Sequence, residues 1–233
     1  MDLEKALGFF SAPPGLRQLL SDYGNNDMLK KTDVLAAVGL VQRHSSLGMA
    51  AFFSKTNGSP QDKKKAIILL ARHGLEYCDT VPSLARLDPD NKKKVIVCLA
   101  ACACAGYAHS AATTRKCVKC AGRGLTDLKI CLLCKGKGVI TAACRDCKGR
   151  GECVDRFESA SRGHPVLITC KRCKGRGYPR YPSTTAYQAL TQITDAISLD
   201  TWKKSVKPFY DGLISKLEME QAHAEAVFKR VIS

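Results

Sequence analysis

The sequence has few acidic and few aromatic residues. Among 233 residues there are 21 Asp and Glu against 37 Lys and Arg, giving a formal net charge of +16, and 6% are aromatic. No apolar run approaches the ~20 residues that span a bilayer, and the start, Met1-Asp2-Leu3-Glu4-Lys5, lacks the basic stretch of a secretory signal. We therefore expect a soluble, cytoplasmic chain with no membrane partner.

Positive charge and cysteine are concentrated in one segment. Residues 113–181 contain 17 Lys and Arg against 5 Asp and Glu, a charge of +12, and nine of the thirteen cysteines. In a reducing compartment, this many cysteines indicate metal binding rather than disulfides. The local positive charge predicts an anionic partner, with nucleic acid as the leading candidate.

A motif of the form C-x-x-C-x-G-x-G occurs four times in this segment. The copies, called knuckles 1 to 4, begin at Cys117, Cys131, Cys144 and Cys170. The two-residue gap lets both thiolates of a knuckle bind one tetrahedral ion, and the glycines permit a positive φ. Two knuckles complete one four-thiolate site, so the repeat predicts two structural Zn²⁺ ions without an open coordination position. The spacing leaves open which knuckles pair.

This repeat resembles the cysteine-rich region of DnaJ-type co-chaperones, which implies nested pairing on a β-hairpin-like arm. Knuckle 1 would then pair with knuckle 4, and knuckle 2 with knuckle 3. The implied ligands are Cys117, Cys120, Cys170 and Cys173 at site 1, and Cys131, Cys134, Cys144 and Cys147 at site 2. A J domain needs His-Pro-Asp, whereas the chain offers only His164-Pro165-Val166. A DnaJ-like chaperone or protein-interaction module is thus an alternative of lower rank.

Helical patterns flank the cysteine-rich segment. Residues 1–31 have turn-forming residues and are predicted to be flexible, and residues 32–112 are predicted to be a helical region. Ser59-Pro60 and Asp88-Pro89 are typical helix starts. The second of these helices is rich in alanine, so we expect its cysteines to pack as small apolar side chains. These cysteines are Cys98, Cys102 and Cys104.

The chain after residue 181 has the pattern of a helix-turn-helix. We expect a first helix capped by Ser183 and a second capped by Ser198, with Trp202 facing the core. The outward residues of the second helix would meet base edges in the major groove. A plain amphipathic hairpin remains an alternative, Pro208 is expected to kink or restart the helix, and an amphipathic helix closes the chain. The outward residues are Leu199, Asp200, Thr201, Lys203 and Lys204.

From about Thr32 to Ser233 the chain resembles the lambda-type antitermination protein Q family of lambdoid bacteriophages. The marks that carry this resemblance lie in order along the chain. They are Thr32-Asp33-Val34, Gly48-Met49-Ala50-Ala51-Phe52, Ser110-Ala111-Ala112-Thr113, Cys173-Lys174-Gly175, Gly177-Tyr178, Thr185-Ala186-Tyr187, Thr201-Trp202 and Ser205-Val206-Lys207-Pro208-Phe209-Tyr210-Asp211. The family's familiar form has only the two outer knuckles, so residues 131–147 are interpreted as an inserted inner finger.

The resemblance implies a factor that binds late-promoter DNA in the host bacterial cytoplasm. It would join paused RNA polymerase at the β flap and σ region 4, in one copy or more, and make it read through terminators. On the family's pattern the outer finger also binds DNA, which adds Lys174 and Arg176 to the candidate contacts. An RNA-binding regulator is a further alternative, weakened because few aromatic residues accompany the lysines.

The predicted architecture is therefore mainly α. A helical bundle of residues 32–112 and 182–233 carries an inserted zinc-binding, β-hairpin-like finger of residues 113–181, and the C-terminal segment is helix-turn-helix-like. The sequence shows no nucleophile–base pair, phosphate-binding loop or open metal site, so we expect no enzymatic activity.

Overall fold

The computed structural model describes Leu3 and residues 31–56, 58–126 and 129–232. Within these residues the chain forms two compact units. The helical unit combines the described parts of Met1–Ala108 and Pro182–Ser233, and the finger unit is His109–Tyr181. The predicted flexible segment, residues 1–31, lies outside the described residues except for Leu3 and Lys31. Leu3 is helical and fully buried.

Helices and short strands alternate along the chain as follows. The helices are α1 (Lys31–His44), α2 (Ser46–Thr56), α3 (Pro60–Tyr77), α4 (Pro82–Ala85), α5 (Pro89–Tyr107), α6 (Arg156–Arg162), α7 (Ser183–Thr191), α8 (Leu199–Thr201) and α9 (Lys207–Val231), with a 3₁₀ turn at Cys78–Thr80 and a π-helical segment at Trp202–Val206. The strands are β1 (Thr114–Lys116), β2 (Leu125–Thr126), β3 (Lys129–Ile130), β4 (Val139–Thr141), β5 (Glu152–Asp155) and β6 (Val166–Thr169). The mainly α fold with small β-hairpins agrees with the predicted class.

Both predicted helix starts before the finger are confirmed. The Ser59 hydroxyl accepts the Asp62 N–H at 3.3 Å, and the Asp88 carboxylate accepts the Asn91 N–H at 3.0 Å. In each helix a proline occupies the first position, where no backbone N–H is needed. Helices α3 and α5 pack against each other and against α9, so the helical unit is built around these capped segments.

Helices α2 and α9 approach so closely that one glycine becomes obligatory. A Cβ added to Gly48 would lie 2.1 Å from the carbonyl oxygen of Glu220 in α9. The buried Ser45 hydroxyl donates to the same carbonyl at 3.3 Å. The absent side chain at Gly48 therefore fixes how near the two helices lie.

The C-terminal segment contains the two successive helical stretches that were expected, beginning at Ser183 and Leu199. The Ser198 hydroxyl accepts the Thr201 N–H at 3.2 Å, which confirms this cap. Trp202 is buried as predicted, with its ring centroid 5.8 Å from that of Tyr187 in α7 and 5.8 Å from that of Tyr210 in α9. Ser183 is not a cap, however. It is the first residue of α7, and Pro182 precedes it without a side-chain capping bond.

Pro208 changes the helical pitch without ending the helix. The Lys207 N–H bonds to the carbonyl of Trp202, five residues back. Pro208 has no N–H to donate to the carbonyl of Lys204, four residues back. The backbone is π-helical over Trp202–Val206 and then continues as α9, whose buried face packs on α1, α2 and α5. The expected restart is thus accomplished by a π-helical turn.

The finger unit has almost no apolar core. Its strands form three antiparallel pairs, β1 with β4, β2 with β3 and β5 with β6. Every buried residue that the structure describes in this unit is a cysteine of a knuckle or the last glycine of a knuckle. Since there is too little apolar burial to offset the entropy of ordering the chain, we expect the fold of this unit to depend on its cysteines.

Candidate metal centres and nucleic-acid interface

All four knuckles have the same backbone conformation. The residue after the second cysteine has a left-handed φ of 50° to 52°, although it is alanine or lysine and not glycine. The last glycine of each knuckle then donates its N–H to the sulfur of the second cysteine. These bonds join Gly124 to Cys120 (3.2 Å), Gly138 to Cys134 (3.3 Å), Gly151 to Cys147 (3.3 Å) and Gly177 to Cys173 (3.2 Å). Such donors stabilise thiolate rather than thiol.

The knuckles pair in chain order, 1 with 2 and 3 with 4. The Sγ atoms of Cys117 and Cys131 are 3.8 Å apart, and those of Cys144 and Cys170 are 3.9 Å apart. Within each group all four sulfurs lie within 4.8 Å of one another. The groups are Cys117, Cys120, Cys131 and Cys134, and Cys144, Cys147, Cys170 and Cys173.

The nested pairing implied by the DnaJ resemblance is therefore wrong. Backbone hydrogen bonds join knuckle 1 to knuckle 2 and knuckle 3 to knuckle 4. The short β2–β3 hairpin brings knuckle 2 back onto knuckle 1. Reciprocal bonds then join the pairs. They run from the Cys117 N–H to the Gly138 carbonyl (2.8 Å), Cys131 to Gly124 (2.9 Å), Cys144 to Gly177 (2.7 Å) and Cys170 to Gly151 (2.8 Å).

The finger unit thus contains two tandem modules. We call residues 113–141 the first module and residues 142–177 the second module. The inner finger expected at residues 131–147 does not exist as a unit, because Cys131 and Cys134 belong to the first module while Cys144 and Cys147 belong to the second.

Both sulfur groups fit a thiophilic divalent ion. A tetrahedron with Zn–S distances of about 2.3 Å has S–S edges of about 3.8 Å, and the closest S–S pairs span 3.6–3.9 Å. All eight cysteines are buried. Two buried four-cysteine groups can therefore each hold a metal ion, in closed sites that leave no position for a reacting water.

The ionisation of the cysteines also favours a bound cation. Backbone N–H groups, chiefly that of Cys134, lower the pKa of Cys131 to about 7. Burial instead raises the pKa of Cys134 to about 11. Four neighbouring sulfurs cannot all be thiolates unless a positive charge compensates them. A cation at the centre of the group would supply that charge and stabilise every thiolate.

The predicted DNA-contacting residues lie in both units. Leu199, Asp200, Lys203 and Lys204 are exposed, and Thr201 is half-buried. The Lys204 ammonium lies 2.9 Å from the Asp200 carboxylate. In the second module Lys174 is exposed and Arg176 is half-buried. The Arg176 Nε is buried and has no hydrogen-bond partner among the described residues.

The remaining cysteines differ in their surroundings. Cys104 is buried in the main helical core, as predicted, whereas Cys98 and Cys102 are half-buried. Cys78, to which the sequence assigned no role, is also buried in this core. Cys153, which the sequence left unassigned, packs against the sulfurs of the second module.

The modules differ at the residues between their paired cysteines, a difference that the sequence motifs alone did not reveal. In the second module these residues are charged, and the Arg172 guanidinium lies 3.1 Å from the Asp146 carboxylate, joining knuckles 3 and 4. In the first module most are apolar, namely Val118, Leu132 and Leu133. These apolar residues can be seen in the sequence, but only the pairing of knuckles 1 and 2 shows that they belong to one module.

The chain is similar to proteins of one described family. Residues 138–225 match the family described as "Antitermination protein Q". The chain is 34% identical over 206 residues to the antitermination proteins Q of Salmonella phage P22 and Escherichia phage lambda, covering 88% of this chain and 87% of each relative. It is 30% identical over 221 residues to a "Prophage antitermination protein Q homolog" of Escherichia coli, covering 86% and 87%.

Helical packing, small β-hairpins and two buried four-cysteine groups define a mainly helical protein with two groups that could each hold a metal ion. By its similarity over most of its length, the chain belongs to the antitermination protein Q family. The family match contains all four cysteines of the second module and none of the first. In the part of the chain that the structure describes, no helix has the length and apolarity needed to span a membrane.

Proposed function

We propose that this protein is a phage transcription antitermination factor that binds late-promoter DNA, joins paused host RNA polymerase and makes it read through terminators. The observation that carries the proposal is the 34% identity to two phage antitermination proteins Q across 88% of the chain. The resemblance further supports the β flap and σ region 4 as the polymerase contacts. Such a factor acts by binding alone, and no enzymatic step is proposed.

The resident metal in this proposal is zinc, one ion in each module. Four thiolates around a closed, buried position are the donor set of structural Zn²⁺, and S–S distances of 3.6–3.9 Å suit its radius. Elemental analysis of the purified chain should give two zinc ions per molecule. Iron in place of zinc, or fewer than two ions, would contradict this assignment.

Recognition of DNA is assigned to the exposed face of the hairpin's second helix. Lys203 and Lys204 are exposed next to the buried Trp202, and both partners of the ion pair of Lys204 with Asp200 are exposed. An exposed pair of this kind contributes little, so Lys204 can exchange Asp200 for a phosphate. Leu199 and Thr201 on the same helix would offer apolar contact to a thymine methyl. Lys174 and Arg176 are proposed to add contacts from the second module.

The DNA proposal is tested by a matched pair of variants. Lys203→Ala with Lys204→Ala should weaken promoter binding and reduce the slope of log K against log salt by about 1.8, because each phosphate that a lysine neutralises contributes about 0.9. Lys93→Ala with Lys94→Ala removes the same charge from exposed positions at the start of α5. If both pairs have equal effects, general charge rather than this helix accounts for binding.

The antitermination proposal is tested by transcription with purified host RNA polymerase. The template carries the phage's own late promoter, its pause site and a downstream terminator. Added protein should increase the fraction of full-length transcript, and a template with an unrelated promoter is the control. Absence of read-through on the phage's own template would contradict the proposal.

A further inference from the structure

The first module presents an unusual number of large apolar side chains to solvent. Of seventeen exposed large hydrophobic residues in the described chain, six lie between residues 118 and 139. Single exposed apolar residues need no explanation, but a concentration of them on one small element indicates an interaction surface. The six are Val118, Leu125, Ile130, Leu132, Leu133 and Val139.

The knuckles place the most exposed of these residues at equivalent positions. Val118 and Leu132 each directly follow the first cysteine of their knuckle, and their exposed fractions are 75% and 82%. Their neighbouring sulfurs, those of Cys117 and Cys131, are 3.8 Å apart. Leu125 and Ile130 are opposite each other in the β2–β3 hairpin, and both are exposed. These exposed apolar residues therefore all belong to the first module, whose two knuckles are held together at their sulfurs.

The second module is a control within the same chain. It has the same knuckle geometry and hydrogen bonds, but the corresponding positions hold Arg145 and Lys171. A knuckle adopts the same geometry with charged residues at these positions. The apolar side chains of Val118 and Leu132 are therefore not needed for the fold of a knuckle. A role in contact with another molecule explains them.

Charge indicates what kind of molecule that is. Residues 113–141 contain seven Lys and Arg against one acidic residue, a charge of +6, or +4 with four thiolates and one divalent ion bound. The module has no aromatic residue on which a base could stack, which disfavours single-stranded nucleic acid. A second copy of the chain, with its net charge of +16, would be repelled. An acidic protein surface with apolar residues at its centre complements both features.

We propose that the first module docks on an acidic, partly apolar surface of RNA polymerase, with Val118 and Leu132 at the centre of the contact and the lysines around it. The inference rests on the proposed function, because polymerase is the protein partner named there. The basic residues would accelerate association, and the apolar pair would determine how slowly the complex dissociates.

The test measures binding of the full, metal-loaded chain to immobilised host RNA polymerase. Val118→Ser with Leu132→Ser should weaken binding by about tenfold or more, as expected for central apolar contacts. Leu167→Ser with Val154→Ser is the matched control, since both are exposed strand residues of the second module. The control should bind like the unmodified chain, and all variants should retain two metal ions and the same promoter affinity.

Each other outcome is informative. If the unmodified chain binds polymerase and the Val118/Leu132 variant binds equally well, the docking inference is wrong while the proposed function stands. If the unmodified chain does not bind polymerase at all, the proposed function fails as well. A loss confined to promoter DNA binding, or a change only in self-association measured by light scattering, would overturn the inference by assigning the surface to nucleic acid or to a second copy.

Discussion

The sulfur atoms of Cys117 and Cys131 lie 3.8 Å apart, although fourteen positions separate the two residues in the chain. This contact defines the first module, because each of the two residues also donates its backbone N–H to the last glycine of the other's knuckle. The same arrangement recurs between Cys144 and Cys170. The finger unit is thus two closed modules in tandem.

The knuckle glycines should differ sharply in their tolerance of a side chain. Both Gly136 and Gly138 have a positive φ, so alanine at either position costs about 1–2 kcal/mol in conformational strain. At Gly138 the Cβ would also lie 2.3 Å from the Gly122 carbonyl, whereas at Gly136 the nearest atom, in Ile130, is 3.6 Å away. Gly138→Ala should therefore release metal to a chelator much faster than Gly136→Ala. Equal release would show that the close approach of the knuckles is not essential.

The crossing of α2 and α9 gives a second pair of glycine variants. Gly48→Ala places a Cβ 2.1 Å from the Glu220 carbonyl and should destabilise the protein by about 1–3 kcal/mol, because two helical backbones must separate. Gly39→Ala is the control. It lies in α1 with nothing within 4 Å of the new Cβ, and should stabilise the protein by up to about 1 kcal/mol. Denaturant unfolding of the metal-loaded chain measures both, and a neutral Gly48→Ala would contradict the described crossing.

Removal of metal should affect the two units differently. The finger unit buries only cysteine and glycine among its described residues, while the helical unit has a large apolar core. Chelation under reducing conditions should abolish amide-exchange protection in residues 109–181 and leave it largely unchanged in α3, α5 and α9. Loss of protection throughout the chain would show instead that the helical unit depends on the metal sites.

The free thiols should react in a definite order. A hydrogen bond from Cys98 lowers the pKa of Cys102 to about 7, whereas burial raises the pKa of Cys104 to about 12. Since the thiolate is the nucleophile, alkylation of Cys102 in the metal-loaded chain should reach half its maximal rate near pH 7, and Cys104 should hardly react. Peptide mass spectrometry gives both rates. Cys98→Ala should shift the Cys102 profile to higher pH, and an unshifted profile would contradict the assigned cause.

Local signals in the sequence determined much of the fold. The caps at Ser59, Asp88 and Ser198 were identifiable because each side chain bonds to a backbone N–H only three residues away. The burial of Trp202 followed from helical periodicity.

The sequence could not show which distant parts of the chain contact each other. Four identical knuckles satisfy nested and sequential pairing equally well, because each needs only some other knuckle to complete its site. The choice depends on the hairpin that joins β2 to β3 and on carbonyls of the partner knuckle, neither of which the spacing of cysteines encodes. The apolar surface of the first module was missed for the same reason, since Val118 and Leu132 belong together only if knuckles 1 and 2 pair.

The central structural claim, that each module closes its own metal site, is tested most directly by two double variants with equal numbers of changes. Cys117→Ala with Cys131→Ala removes two ligands from the first module and leaves the second complete. Cys131→Ala with Cys144→Ala removes one ligand from each module. Counting chelator-resistant ions per chain should give one for the first variant and none for the second. The reverse result, none for the first and one for the second, would establish nested pairing and contradict the tandem modules.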